Sequence, residues 1–158
     1  MIRVVCPFTA IKPGVAEALD ATGIAWEAID VSGSDSDYWA LLDSLWTEGK
    51  TFIIVEHDVI VRPDTLDLLR YCTQSDVCAY PISYFWSRQA VGMACNKFGS
   101  TFIARHLDLM QQTAEMSDAN ILQNTGAVRI CGCKRLSDPR SITSTYLRWH
   151  TIANPANH

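Results

Sequence analysis

Glu56 and Asp58 stand one residue apart, directly after the apolar run Phe52-Ile53-Ile54-Val55. Along extended backbone, residues i and i+2 point to the same side, roughly 6.5 Å apart. Two carboxylates so placed can share one hard divalent cation, because such ions prefer oxygen ligands. A plainer alternative for the same pair is a solvated acidic turn after a strand. More apolar residues follow, Val59 to Val61, and then Pro63-Asp64 opens a helical pattern. The acids thus fall at the carboxyl end of a buried strand, where open α/β sheets bind their ligands.

The elements that must position this pair are visible as a periodic pattern. Ile2 to Cys6 is apolar and β-branched, which predicts a first strand. Lys12-Pro13-Gly14 then opens a helix over about Val15 to Ala21, with Pro at an early helical position and Gly23 beyond its end. Ala25 to Val31 predicts a second strand, and Ser32 to Ser36 is a polar loop rich in helix-capping residues. Trp39, Leu42, Leu45 and Trp46 recur at helical spacing until Gly49. Thr51 to Val55 is the third strand, and a helix over about Asp64 to Thr73 buries Leu66, Leu69 and either Tyr71 or Cys72. Val77 to Ile82 is a fourth strand. A β-α-β-α-β-α-β order argues for a parallel sheet with right-handed crossovers. Beyond it the pattern is less regular. Ser83 to Trp86 is an aromatic loop, Val91 to Cys95 and Ser100 to Ala104 are short strands around Lys97-Phe98-Gly99, and a helix starts at Arg105-His106 and reaches about Met116. Ala127 to Cys131 and Thr145 to Ile152 are further strands.

Composition limits the function classes. A chain of 158 residues with 48% hydrophobic and 19% charged residues suits one globular domain with a real core. No apolar run approaches a membrane span. The N-terminal segment Met1 to Pro7 has the pattern of a strand and not of a signal peptide, so a cytoplasmic protein is expected. A net charge of −4 gives no sign of a broad nucleic-acid surface. A local basic patch from Lys97, Arg105, Arg129, Lys134, Arg135, Arg140 and Arg148 stays open. Cys6, Cys72, Cys78 and Cys95 sit in apolar patterns and are expected in the core. Cys131-Gly132-Cys133 has a one-residue gap, unlike the spacing of common zinc knuckles, so zinc held by that pair and a C-terminal His is a remote alternative.

The segment Thr51 to Thr65, with its buried strand, Glu56-His57-Asp58, short apolar stretch and Pro-Asp helix start, resembles the Asp-X-Asp region of nucleotide-sugar-dependent glycosyltransferases of the GT-A fold, family 2-like. Gly92 to Arg105 is similar to the strand that lies near the donor sugar in such enzymes. The resemblance implies a Rossmann-like α/β fold: a mostly parallel central sheet flanked by helices, in a single domain over residues 1–158. Residues 1–82 or so would form the nucleotide-binding half and about 83–158 the acceptor half. It further implies transfer of a sugar, hexosyl transfer foremost, from a nucleoside diphosphate sugar to an acceptor hydroxyl. The donor is expected to be a UDP-sugar, with Mn2+ or Mg2+ as cofactor.

Carried onto this chain, the nucleotide positions are Pro7, Phe8 and Thr9 after strand one, Asp30 at the end of strand two, and Glu56 and His57. Asp30 is placed to read a uracil ring or a ribose hydroxyl, or else simply initiates the turn before Ser32-Gly33. His57, between the acids, is expected to turn away from the metal. Glu56 and Asp58 are the metal ligands, completed by His150 or His158. Asp118 is the candidate base of an inverting reaction, with Glu115 second and a helix cap as the alternative role for Asp118. Two departures stand out: the motif opens with Glu in place of Asp, and the chain is short for the family. A non-catalytic nucleotide-sugar-binding module or accessory subunit is the alternative function. A sugar nucleotidyltransferase ranks behind it, because the loop after strand one has no glycine until Gly14.

Overall fold

The computed structural model describes residues 1–71, 77–84 and 88–108. Five strands form one sheet in the order β2-β1-β3-β5-β4. They are β1 (Arg3–Phe8), β2 (Glu27–Asp30), β3 (Phe52–Val55), β4 (Val77–Tyr84) and β5 (Arg88–Phe98). The helices are α1 (Val15–Asp20), α2 (Asp35–Thr47), α3 (Thr65–Tyr71) and α4 (Ser100–Arg105). β1 pairs in parallel with β2 and with β3, as the repeating strand–helix order predicts. β5 departs from that parallel order and lies antiparallel between β3 and β4, within the mostly parallel sheet that the resemblance implies. Only three residues separate Tyr84 from Arg88, too few for the dozen or more that a parallel crossover requires. β1 to β4 therefore run one way and β5 the other, leaving a mostly parallel sheet.

Alternation along the strands divides the interior into two layers. Val4 and Cys6 of β1 and Ile53 and Val55 of β3 face one side, with Val15, Leu19, Leu66 and Leu69 from α1 and α3. Val5, Phe52 and Ile54 face the other, with Leu42, Leu45 and Trp46 of α2 and Phe102 and Ile103 of α4. Because β1 and β3 are covered on both faces, their sequences are continuous apolar runs. Trp46 centres the second layer. Its ring meets Phe98 at 5.6 Å, Phe102 at 5.9 Å and Phe52 at 6.3 Å, all edge-on, and its Nε1 donates to the His106 carbonyl at 2.9 Å.

Some expectations are corrected here. Ser100 to Ala104 is helix and not strand. Phe102 and Ile103 are buried while Thr101, Ala104 and Arg105 are exposed, a one-sided helical pattern that the β-favouring types Thr, Phe and Ile concealed. The helix expected to begin at Arg105-His106 instead ends there, where His106 N donates to the Ile103 carbonyl at 3.0 Å. Tyr71 is 77% exposed, so the buried face of α3 rests on Leu66 and Leu69. Lys97 is buried in β5 and cannot join a surface patch; of the other basic residues named with it, Arg105 is exposed and the rest lie outside the described residues. Cys6, Cys78 and Cys95 are buried, as their apolar surroundings predict. Cys72, Cys131 and Cys133 lie outside the described residues, as do the strands expected beyond residue 108. No helix among the described residues is long and apolar enough to cross a membrane.

Candidate functional site

Three loops leave the carboxyl ends of adjacent strands and meet over the sheet. From β1 the chain runs out to β2 and returns past β1 to β3, so the loops meet at a topological switch point, the usual ligand crevice of an open α/β sheet. The β1–β2 ladder extends to the strand ends, with Val31 N donating to the Phe8 carbonyl at 2.9 Å. β3 stops at Val55, and Val59 N donates to the Glu56 carbonyl at 3.0 Å, closing a turn with His57 and Asp58 at its centre. Lys12 N donates to the His57 carbonyl at 3.3 Å, which ties the β1–α1 loop to that turn. Between these loops lies a cavity of about 430 Å³, within the size range of small-ligand sites.

The cavity brings together most of the nucleotide-binding and acidic residues that the sequence singles out. Pro7 and Thr9 line it from the end of β1, and Glu56, His57 and Asp58 from the turn after β3. The acids share the cavity because of this turn, and not through strand alternation, since neither lies in β3. The same turn makes His57 a lining residue, where extended backbone predicts that it faces away. Asp30 and Phe8 are not among the lining residues. The exposed Asp30 carboxylate accepts from the Ser32 amide at 2.9 Å, the turn-forming role weighed for it. Hydrogen bonds from the Ser32 hydroxyl and amide hold its pKa below the ordinary carboxylate value. Asp118, Glu115, His150 and His158 lie outside the described residues.

The electrostatics of the cavity are acidic. Among its described lining residues, His57 is the one side chain able to carry positive charge, against Glu56 and Asp58. The field of these acids reaches into the core below. Burial pushes the Cys6 thiol up to about 11, with Asp58 and then Glu56 adding to the rise. Cys95, opposite Val55 in the ladder, is raised by burial and by Glu56. Two carboxylates with a negative surrounding potential suit a divalent cation that takes its remaining ligands from a bound phosphate and water. Among the described residues no group of three metal-ligating side chains forms.

Sequence reasoning missed the wall contributed by α2. Ser34, Tyr38 and Trp39 line the cavity, together with Val31 and Ser32 from the loop before the helix. Asp37 reaches back to accept from Ser34 N at 3.0 Å and Ser34 Oγ at 2.8 Å, a capping box that fixes how the helix enters. Trp39 matches the helical apolar stripe and is therefore expected in the core, yet it is only partly buried. Its place near the start of a helix that begins beside the strand ends is the signal that could have revealed its second role.

No family model matches the sequence, and no curated protein matches it. Among solved structures, the chain is similar to a glycosyltransferase involved in the glycosylation of the major capsid of PBCV-1. The TM-score is 0.53 at 10% identity, over 83% of this chain and 79% of that one. CMP:2-keto-3-deoxy-manno-octonic acid synthetase complexed with CTP aligns with a TM-score of 0.49 at 12% identity, over 80% of this chain and 86% of that one. At such identities a likeness speaks for architecture alone, and with the first match it does so: this chain has a Rossmann-like GT-A fold.

Proposed function

We propose that the chain binds a nucleoside diphosphate sugar in the cavity at the carboxyl ends of β1, β2 and β3 and transfers the sugar to an acceptor hydroxyl. One observation carries the proposal: Glu56 and Asp58 line a ligand-sized cavity at the switch point of a GT-A-like sheet. Glu56 and Asp58 are the residues that would hold Mn2+ or Mg2+, with His150 or His158 proposed to complete the set. A cation there would neutralise the diphosphate and stabilise it as a leaving group. Without one, a diphosphate would face two carboxylates with His57 as the sole cationic candidate among the described lining residues. Pro7 and Thr9 would flank the nucleoside, Asp30 would meet the ribose or base from the rim, and uridine is the proposed base. Asp118 is proposed as the carboxylate that takes the acceptor proton.

The test is a thermal-shift series with uridine, cytidine, guanosine and adenosine diphosphates, each with and without Mn2+. A bound ligand raises the melting temperature by an amount set by concentration over Kd. The expected result is stabilisation by one diphosphate, uridine diphosphate foremost, only when Mn2+ is present. Absence of any such effect would overturn nucleotide binding. Slow Mn2+-dependent hydrolysis of the matching sugar nucleotide would then separate an enzyme from a module that only binds.

A further inference from the structure

We propose that Trp39 is the platform on which the nucleobase stacks, so that the nucleotide lies across the cavity from α2 to the Glu56–Asp58 turn. This rests on the nucleotide-binding reading and assigns the two ends of the ligand to two walls of the site. The acidic wall takes the diphosphate through a cation. The opposite wall has to accept the uncharged, flat end of the ligand, and its chemistry fits that task.

Trp39 lines the cavity from the second turn of α2 and is partly exposed, so it presents indole surface that a base could cover. Its orientation is set before any ligand arrives. The indole packs against the second core layer and meets Tyr38 edge-on, with centroids 6.2 Å apart and planes 74° apart. A ring held this way loses little freedom on stacking, so most of the contact energy goes into affinity. Every base has a π-face, so stacking alone selects a base over no base. Choice among bases falls to polar groups at the same wall, of which the Ser32 side chain is one.

The same helix argues against the reverse orientation. A helix N-terminus normally attracts phosphate, and α2 begins at the cavity with Ser34. Here the Asp37 carboxylate already stands at the helix start, bonded to the N-cap Ser34 N and Oγ. A phosphate brought to this end would meet a carboxylate without a cation between them. The diphosphate is thereby directed to the acid pair and the base to Trp39.

Two substitutions separate stacking from packing. Trp39→Leu keeps an apolar side chain against the core and removes the π-face; Trp39→Phe keeps both. Calorimetry on the full chain in Mn2+ uses the four nucleoside diphosphates, with inorganic pyrophosphate as a base-free control. Trp39→Leu should weaken the preferred diphosphate by about tenfold or more and leave pyrophosphate unchanged, while Trp39→Phe stays within about threefold of the unmodified chain. In addition, the preferred diphosphate should quench part of the indole emission, and that part should be missing from Trp39→Phe, whether or not the Leu variant folds. Equal loss for the diphosphate and pyrophosphate, no loss for either, or an unchanged quench in Trp39→Phe would overturn the stacking role while nucleotide binding stands. If the unmodified chain binds pyrophosphate with Mn2+ but no nucleoside diphosphate more tightly, the base has no seat and the proposal fails. If it binds neither, the nucleotide reading itself fails first.

Discussion

Asp58 and Glu56 matter through charge, and an isosteric change can remove that charge alone. Asp58→Asn preserves the shape of a partly buried side chain in the turn after β3 and withdraws one hard anionic ligand. The Mn2+-dependent gain in affinity for uridine diphosphate should disappear, with the melting temperature of the ligand-free chain nearly unchanged; calorimetry and a thermal melt measure the two. Unaltered Mn2+-dependent affinity would show that the acids do not hold the cation. Cys6 reports the same field from beneath the site. With its thiol pushed up to about 11, only about one molecule in a thousand carries a thiolate there at pH 8. Since the thiolate is the nucleophile, Cys6 should resist iodoacetamide in the folded chain and react in urea, as read by mass spectrometry of its peptide. Rapid labelling of folded protein at pH 8 would contradict both the burial and the field.

At the scale of elements, α2 carries much of the site because its start is fixed so closely. A Cβ at Gly33 would come within 2.5 Å of Asp37 Oδ2, so Gly33→Ala must push the carboxylate off Ser34. The expected cost is about 1 kcal/mol in urea unfolding, the usual worth of a helix cap, with the m-value unchanged. In an Asp37→Ala background the same Gly33→Ala change should cost much less, because the group it displaces has gone; additive costs would exclude this contact as the cause. Elements whose order is local were legible in the sequence. The apolar runs at β1 and β3, the spacing of Leu42, Leu45 and Trp46, and the stop at Gly49, whose φ is +66°, follow from short-range rules. The antiparallel insertion of β5 was not legible, because sheet order depends on which strands meet and not on any one segment. Ser100 to Ala104 was misjudged because Thr101, Phe102 and Ile103 favour strands by type, while burial against Trp46 makes them helical. The acid pair was found through its chemistry although the backbone geometry assumed for it was wrong. Trp39 was overlooked because one helical stripe serves both the core and the cavity.

Across the whole molecule, the two ends of the sheet perform separate tasks. The carboxyl ends of β1 to β3 hold the cavity. Near the amino end of β1, Arg3 is a clamp: Nε and Nη2 donate to the two oxygens of Glu27, each at 2.9 Å, and Nη1 donates to Glu48 at 2.6 Å. One guanidinium thus joins β1 to the edge strand β2 and to the C-terminal end of α2, elements that also frame the cavity from the far side. The hydrogen bond from Arg3 is the main reason that the Glu27 pKa lies below its ordinary value. A carboxylate lowered in the folded state adds stability above its unfolded pKa, near 4.3, and loses it as pH falls through the lower folded value. Arg3→Met should therefore destabilise the chain at pH 7, and the deficit should shrink steadily below about pH 4. All three side chains are between 32% and 48% exposed, so solvent screening holds the effect to about 1 kcal/mol and added salt should reduce it further. Urea unfolding at several pH values and salt concentrations measures this. Because the clamp lies at the end away from the acids, Mn2+-dependent affinity for uridine diphosphate should be unchanged in Arg3→Met wherever the variant is folded. A large loss of affinity at full folding would mean that β2 and α2 shift as a unit when the clamp opens, carrying Ser32 and Trp39 with them, and the two ends of the sheet would then have to be treated as one coupled device.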